Sequence, residues 1–556
     1  MDATNLGPQA EPASSFEPYR EHRYTGMVGR FFATGVQLLA LAFGGGFAYV
    51  RSKQAEGEGW LLEIVLLRIL LLFAWPFLDK KVISQPFPIQ FRIRLERLGP
   101  TYIKLGQILS LREDILPTAI TDELKNLLER SPAIDFDRFK QLVEADLGRP
   151  LKTMFRWIDS KPLGSASLAQ THRARLITHE KAVIKLLKPG VRKLIITDTR
   201  LMRIFGWVLQ LFAGRFQPRQ LIDEFSKYTL REVDLHNEAD HAETFAANFK
   251  DNTQIRFPKI YRDFSTRDVL VMEYFRGIRP DSAGVKRLTQ QQRNQAIDLG
   301  ISAIIQMIFQ DGFFHADLHP GNMVLFANGT IGFIDLGMVG RFDRDRRKRL
   351  FYYFYSLVTG DTDDAARYLT SLALPGRGGD LDGFRRAVAD LYGRWLRAPS
   401  FYEFSLAQVI LRSILLAGRY NVKYPGEIIL MVKALITVEG VGNLLVPGID
   451  LVSASRKHVI KLLLQEFNPL RWLRDSALLV PEMVDVLNRS PLILSEGLSL
   501  LENNLKKPAP EPISGLRATI LAGFCLLSGA VVASLGGPWP VWAILFLLAL
   551  IFSLRK

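Results

Sequence analysis

The run His315-Ala316-Asp317-Leu318-His319-Pro320-Gly321-Asn322, followed eighteen residues after Asp317 by Asp335-Leu336-Gly337, narrows the fold more than any other feature of the chain. An Asp and an Asn five residues apart on one loop, with a second Asp further on, make an oxygen-donor set suited to a hard cation and phosphate oxygens. The chain must double back to bring Asp335 beside Asp317. Met323–Phe326 and Thr330–Ile334 read as two short strands around Asn328-Gly329, a tight-hairpin signal that achieves this. His315 and His319 could be read as a zinc pair, but no Glu occupies the metalloprotease position and Pro320-Gly321 would break the helix such a pair needs.

The run fits the protein-kinase catalytic-loop pattern H-x-D-L-x-x-x-N, and Asp335-Leu336-Gly337 reads as a DFG-type site with Leu for Phe. In that scheme Asn322 and Asp335 bind Mg²⁺, and Asp317 orients or deprotonates the nucleophile. Upstream, Ala182-Val183-Ile184-Lys185 resembles the V-A-I-K strand, whose Lys neutralises the α/β-phosphates of ATP. Lys185 needs an acidic partner, and Glu232, Asp234 and Glu238 are the candidates. Met272-Glu273-Tyr274, ending the apolar strand Val269–Glu273, reads as a hinge whose backbone meets adenine. Two kinase features are missing. In place of G-x-G-x-x-G stands Pro162-Leu163-Gly164-Ser165-Ala166-Ser167-Leu168-Ala169-Gln170, which puts Ala166 and Ser167 against the nucleotide. With one Gly, this loop cannot drape backbone amides over phosphates as a Gly-rich loop does. No A-P-E follows Asp335 at a useful distance, since Ala509-Pro510-Glu511 lies in a Pro-rich linker.

The remaining pattern gives an α+β fold: a bilobal protein-kinase-like body with an N-terminal helical extension and a C-terminal transmembrane helical hairpin. Leu168–Ile177 and Lys181–Leu187 read as a small antiparallel sheet joined at Thr178-His179-Glu180. Leu194–Asn248 and Thr289–Gln310 read as helix, and so does everything from Arg344 to Phe467. The expected divisions are 1–26 disordered, 27–85 apolar membrane-associated helices, 86–150 the helical extension, 151–275 the N-lobe, 276–467 the C-lobe, 468–516 a linker and 517–556 the hairpin.

Ala518 to Leu554 carries no charged residue in 37 positions, too long for one span of about 20 residues. Leu535-Gly536-Gly537-Pro538-Trp539-Pro540 divides it into two short arms, Thr519–Leu535 and Pro540–Leu554. Arg517 before and Arg555-Lys556 after place both ends, and the kinase-like domain, on the cytoplasmic side. Phe31–Val50 and Trp60–Leu78 are further apolar runs that read as a second hairpin or as helices in the interface. With 71 Lys and Arg against 56 Asp and Glu, the net charge of +15 favours an anionic partner. The densest run, Arg341–Arg349, reads as a solvated helix face. No zinc finger, RNP signature or basic-plus-heptad region argues for nucleic acid. A single Cys excludes a disulfide framework.

The departures from ordinary kinases point one way. From about Leu98 to Asp450 the chain resembles the UbiB family, the AarF/ADCK group of atypical protein-kinase-like proteins. Lys104-Leu105-Gly106-Gln107 resembles its KxGQ motif, residues 162–172 its Ala-rich loop, Glu232-Val233-Asp234 its ExD motif, Glu238 its helix-C Glu and His315–Asn322 its HxDxHPGN run. Val438-Glu439-Gly440 resembles a late segment of the family, while His241 and Thr171 depart from its usual Asn and Val. The resemblance implies a Mg-nucleotide-binding fold, with ATPase activity favoured over protein phosphorylation. It implies a KxGQ region packed over the active site, with Lys104 and Gln107 approaching Glu232 and Asp234 and these four together with Gly106 as regulatory residues. It also implies support of isoprenoid-quinone biosynthesis at a membrane, with a membrane lipid or prenylated quinone precursor and quinone-biosynthesis proteins as partners. Two rival readings are a protein or small-molecule kinase and a nucleotide-switched lipid-binding scaffold without turnover.

Overall fold

The computed structural model describes residues 26–55, 79–110, 116–127, 132–212, 218–376, 378–397, 406–449, 451–466, 514–534 and 538–554. The stretch before Gly26, the run Trp60–Leu78 and most of the expected linker lie outside them. The chain divides into two compact units, up to Leu464 and from Gln465.

Among the described residues the first unit opens with α1 (Gly26–Ala55), a single turn at Lys80–Ile83, α2 (Phe87–Leu98), α3 (Pro100–Leu109), α4 (Thr118–Leu124) and α5 (Phe136–Leu147). Gly44, Gly45 and Gly46 do not interrupt α1. A Cβ on Gly44 would lie 2.0 Å from Gln90 Oε1, and one on Gly45 3.0 Å from Phe87, so the glycines let α2 approach. Strands β1 (Phe155–Ser165), β2 (Ala169–Leu176) and β3 (Lys181–Leu187) follow, then helices α6 (Val191–Phe212), α7 (Pro218–Glu232) and α8 (Leu235–Asn248), then β4 (Val269–Glu273). The sheet is antiparallel in the order β1-β2-β3-β4. Sequence alternation began this sheet at Leu168, and β1 is an addition. It is an edge strand with register breaks at Pro162 and Gly164, which hides its period.

Both faces of the sheet are covered, which is why β3 and β4 read as nearly continuous apolar runs. Ala182, Ile184, Leu186, Val269 and Val271 join Phe139 and Val143 of α5 in one core. Val183, Leu187, Leu270 and Met272 join Val191, Leu235 and Ala239 in the other. Strand alternation therefore puts Lys185 on the face of Val183 and Leu187, toward α8.

Helix α9 (Gln290–Ile305) starts with a capping box between Thr289 and Gln292 and runs into a π-helical turn, Gln306–Asp311. Strands β5 (Phe313–His315), β6 (Met323–Leu325), β7 (Ile331–Phe333) and β8 (Val339–Arg341) pair as two small ladders, β5 with β8 and β6 with β7. The hairpin expected around Asn328-Gly329 is the β6–β7 pair. Helices α10 (Arg344–Thr359), α11 (Thr362–Ser371), α12 (Leu381–Leu396), α13 (Leu406–Ala417), α14 (Gly426–Leu445) and α15 (Leu451–Glu466) complete the unit. Asp343, Asp361 and Asp380 cap α10, α11 and α12. The stretch expected to be wholly helical also holds a two-residue ladder, Leu374–Pro375 with Val422–Lys423, too short to leave a pattern.

In the second unit, α16 (Ser514–Ser534) packs on α17 (Trp539–Leu554), and Gly529 makes room for Phe546. At about 1.5 Å per residue their 21 and 16 residues reach about 32 and 24 Å, around the roughly 30 Å of a bilayer core.

Candidate active site

Strand β3 and helix α8 bring the first cluster together. Lys185 Nζ donates to Glu238 Oε1 and Oε2 at 2.9 and 2.8 Å and to Asp335 Oδ1 at 3.0 Å. Of the three sequence candidates, Glu238 is the partner of Lys185. Burial alone would lower the Lys185 ammonium, but Asp335 and Glu238 reverse that and raise it above its ordinary value. Burial pushes the Glu238 carboxyl up, to about 7, against the pull of Lys185. The ammonium of Lys185 holds the Asp335 carboxyl below its usual range. Asp335 sits at φ +57°, a left-handed conformation that Asp tolerates better than most residues.

The loop after β5 is braced by backbone contacts. His315 is fully buried; its Nδ1 accepts from the Asp317 amide at 3.1 Å and its Nε2 donates to the Ile334 carbonyl at 3.4 Å. Burial lowers its imidazolium, so the ring is neutral in that tautomer. Asn322 Nδ2 donates to the Asp317 carbonyl at 3.0 Å, leaving Oδ1 for another partner. His241, which departs from the family pattern, donates from Nδ1 to the Leu336 carbonyl at 2.9 Å and ties α8 to the segment after Asp335.

Asp317 has a partner that sequence reasoning missed. Lys433 Nζ, from α14, lies 2.7 Å from Asp317 Oδ1. Burial would raise the Asp317 carboxyl, but Lys433 overrides it and holds it at about 2. The available signal was a lone Lys in the apolar run Ile428–Val438. Lys104, Gln107, Phe225, Asp317, Met338 and Lys433 line a cavity of about 290 Å³.

The expected meeting of α3 with the ExD residues occurs at one of them. Lys104 Nζ reaches Glu232 Oε1 at 2.6 Å. Asp234 instead caps α8 through the His236 amide and pairs with Arg267 at 2.8 Å. Gly106 is required by packing, because a Cβ there would lie 2.3 Å from Leu127 and 2.8 Å from Leu95.

The backbone expected to face the nucleotide is partly engaged within the protein. The amides of Glu273 and Tyr274 already donate to the Lys259 and Lys181 carbonyls at 2.8 and 3.0 Å, so neither is open to adenine. The Glu273 amide is taken by the Lys259–Ile260 segment, which pairs beside β4, and the Tyr274 amide by the end of the β3–β4 ladder. The Ala166 amide donates to the Ala169 carbonyl at 2.9 Å, so Ala166 and Ser167 lie in a tight β1–β2 turn. Pro132 and Ile134 hold that turn: the Pro132 carbonyl accepts from Ser165 Oγ and Lys188 Nζ, and Ile134 exchanges two bonds with the Gln170 side chain.

The donor set fits a divalent cation with phosphate. Glu238 and Asp335 set two carboxyls around the Lys185 ammonium, and Asn322 offers an amide oxygen. Among the described residues no group of three or more His, Cys, Asp or Glu side chains could hold a metal alone. Phosphate oxygens would have to complete the shell.

Residues 126–369 match the ABC1 atypical kinase-like domain and residues 388–450 the UbiB helical domain. The chain is 30% identical over 488 residues to the probable protein kinase UbiB of Serratia proteamaculans, covering 83% of this chain and 88% of that protein. It is 31% identical over 430 residues to the probable protein kinase UbiB of Vibrio vulnificus, covering 75% and 78%. It is 32% identical over 376 residues to the chloroplastic protein Activity of BC1 Complex Kinase 7 of Arabidopsis thaliana, covering 66% of this chain and 53%, about half, of that protein.

Proposed function

Since this chain belongs to the UbiB family of atypical kinases, we propose that it is a membrane-anchored, Mg-dependent ATPase that supports isoprenoid-quinone biosynthesis. The observation that carries the reading is the Lys185–Glu238–Asp335 cluster. It sets an oriented ammonium beside a carboxylate, the arrangement that holds nucleotide phosphates in kinase-like folds.

In this reading Lys185 binds the α/β-phosphates and Glu238 fixes where its ammonium points. Asn322 and Asp335 hold Mg²⁺, which when bound neutralises phosphate charge. Asp317, kept ionised by Lys433, accepts a hydrogen bond from the attacking water and orients it. A carboxylate held at about 2 is a weak base near neutrality, so orientation is favoured over deprotonation. The Lys104–Glu232 pair holds α3 over the cavity beside Asp317 and supports the expected regulatory role of the KxGQ motif. Helices α16 and α17 would anchor the chain, with the kinase-like unit on the cytoplasmic side. A prenylated quinone precursor, a membrane lipid and quinone-biosynthesis proteins are the proposed partners.

The test is Mg-ATP hydrolysis in liposomes, with and without a prenylated quinone precursor, beside Asp335→Asn. Lipid-stimulated hydrolysis that the substitution abolishes is expected. Nucleotide binding without turnover in the wild type would replace this reading with that of a scaffold.

A further inference from the structure

We propose that the outward face of α1 and of the second half of α6 form a lipid-facing surface, which seats the kinase-like unit itself in the bilayer. The inference rests on the membrane location proposed above and adds a second, separate contact within the first unit.

The polarity of α1 is inverted. Among its described side chains, Arg30, Thr34 and Gln37 face the protein. The Arg30 guanidinium forks onto the wholly buried Asp198 at 2.8 and 2.6 Å. Thr34, 1% exposed, bonds the Tyr102 hydroxyl at 3.1 Å, and Gln37 accepts from Arg94 at 3.0 Å. Its outward residues are apolar: Val28 is 70% exposed, Phe32 64%, Val36 56% and Leu39 61%. A helix on the surface of a water-soluble domain shows the opposite distribution. Polar groups turned inward and apolar groups outward is how helices sit in hydrocarbon.

Helix α6 continues the surface. Ile204, Trp207, Val208 and Leu211, spaced i, i+3, i+4, i+7, form one exposed stripe. Phe205 stacks on Phe31 at 5.4 Å between centroids, so the two stripes adjoin. Contiguous apolar patches beyond a few hundred Å² are rare on water-soluble monomers. Phe and Trp at such a face suit the bilayer boundary. A second copy of the chain would also bury it. Hydrocarbon is favoured because this chain carries, in α16 and α17, two apolar helices whose one charge, Arg517, lies in the first turn of α16, and which themselves need it.

Spin labels test this in full-length protein in which Cys525, the only Cys, is replaced by Ser. Labels are placed singly at Val36→Cys, Val208→Cys and Leu211→Cys, with Asp382→Cys as the exposed polar control, in phosphatidylcholine/phosphatidylglycerol liposomes. At 36, 208 and 211, collisions with oxygen should exceed collisions with a water-soluble nickel chelate, and at 382 the order should reverse. Protein that floats with the liposomes while 208 and 211 remain open to the chelate overturns this inference and leaves the membrane location standing. Protein that does not float overturns both. Shielding at 208 that persists without lipid or detergent, with or without spin–spin broadening between copies, assigns the face to another part of the chain or to a second copy and overturns the proposal. None of these readouts depends on nucleotide turnover.

Discussion

Lys433 and Asp317 stand 116 residues apart in the chain and 2.7 Å apart in the fold. The UbiB helical domain thus supplies the charge partner of the catalytic loop of the ABC1 domain. Both side chains are about a quarter exposed, so the pair sits at the cavity wall and not in the core.

Replacing Lys433 by Met should leave Asp317 without its partner in a low-dielectric setting. Its carboxyl should rise from about 2 toward the ordinary carboxylate range. Turnover should fall roughly 10- to 100-fold, the order expected for about 1–3 kcal/mol of lost support. Lys433→Arg should keep most of the activity. The acidic limb of the pH–rate profile decides the matter: it should move to higher pH in the Met variant, whereas a purely structural role would lower the rate without moving it.

The Lys185–Glu238 pair is buried on both sides. Removing one partner of a buried pair costs about 3–5 kcal/mol. Lys185→Met should therefore lower the urea midpoint and abolish Mg-ATP binding. Glu238→Gln should lower it less, because a neutral amide still accepts from Lys185. Equal midpoints for wild type and Lys185→Met would refute the account of this cluster.

Two carboxyls set opposite pH trends. Glu238 has a folded value near 7, above its ordinary one, so its contribution is fully present below about 4.5 and is lost as pH rises through 7. Asp317 is depressed, so its contribution is present above about 3.9 and is lost as pH falls toward 2. In urea unfolding of the ligand-free protein between pH 5 and 8, the stability of the wild type relative to Glu238→Gln should fall as pH rises. The stability of the wild type relative to Asp317→Asn should show no such slope in this range.

Lys104 and Glu232 are mostly shielded, at 12% and 26% exposure, and join α3 to α7. A double-mutant cycle with Lys104→Met and Glu232→Gln should return a coupling of about 1 kcal/mol, within the usual range for contacting residues. A coupling near zero would show that apolar packing around Gly106 holds α3 without the ion pair.

Much of the site was legible because its signals are local. The catalytic loop and the Asp335 segment each need a fixed spacing on one stretch of chain, and the Asn328-Gly329 turn encodes the hairpin between them. The pairing of Lys185 with Glu238 followed from a motif order that matches a known fold. The closure of the Ala166 turn by Pro132 and Ile134, and the occupied amides of Glu273 and Tyr274, were not legible, because each depends on a neighbour from another strand or loop.

The sequence by itself determined the kinase-like order of elements, the family, the apolar terminal helices and the residue types at the candidate site, since periodicity and spacing are properties of the chain alone. Only the tertiary structure decided that Lys433 reaches Asp317, that Asp234 turns to Arg267, and which face of α1 is polar-inward. The physical reason is the same in each case. Hydropathy and charge count what a segment contains, whereas an ion pair or a lipid-facing stripe depends on what the fold places opposite it.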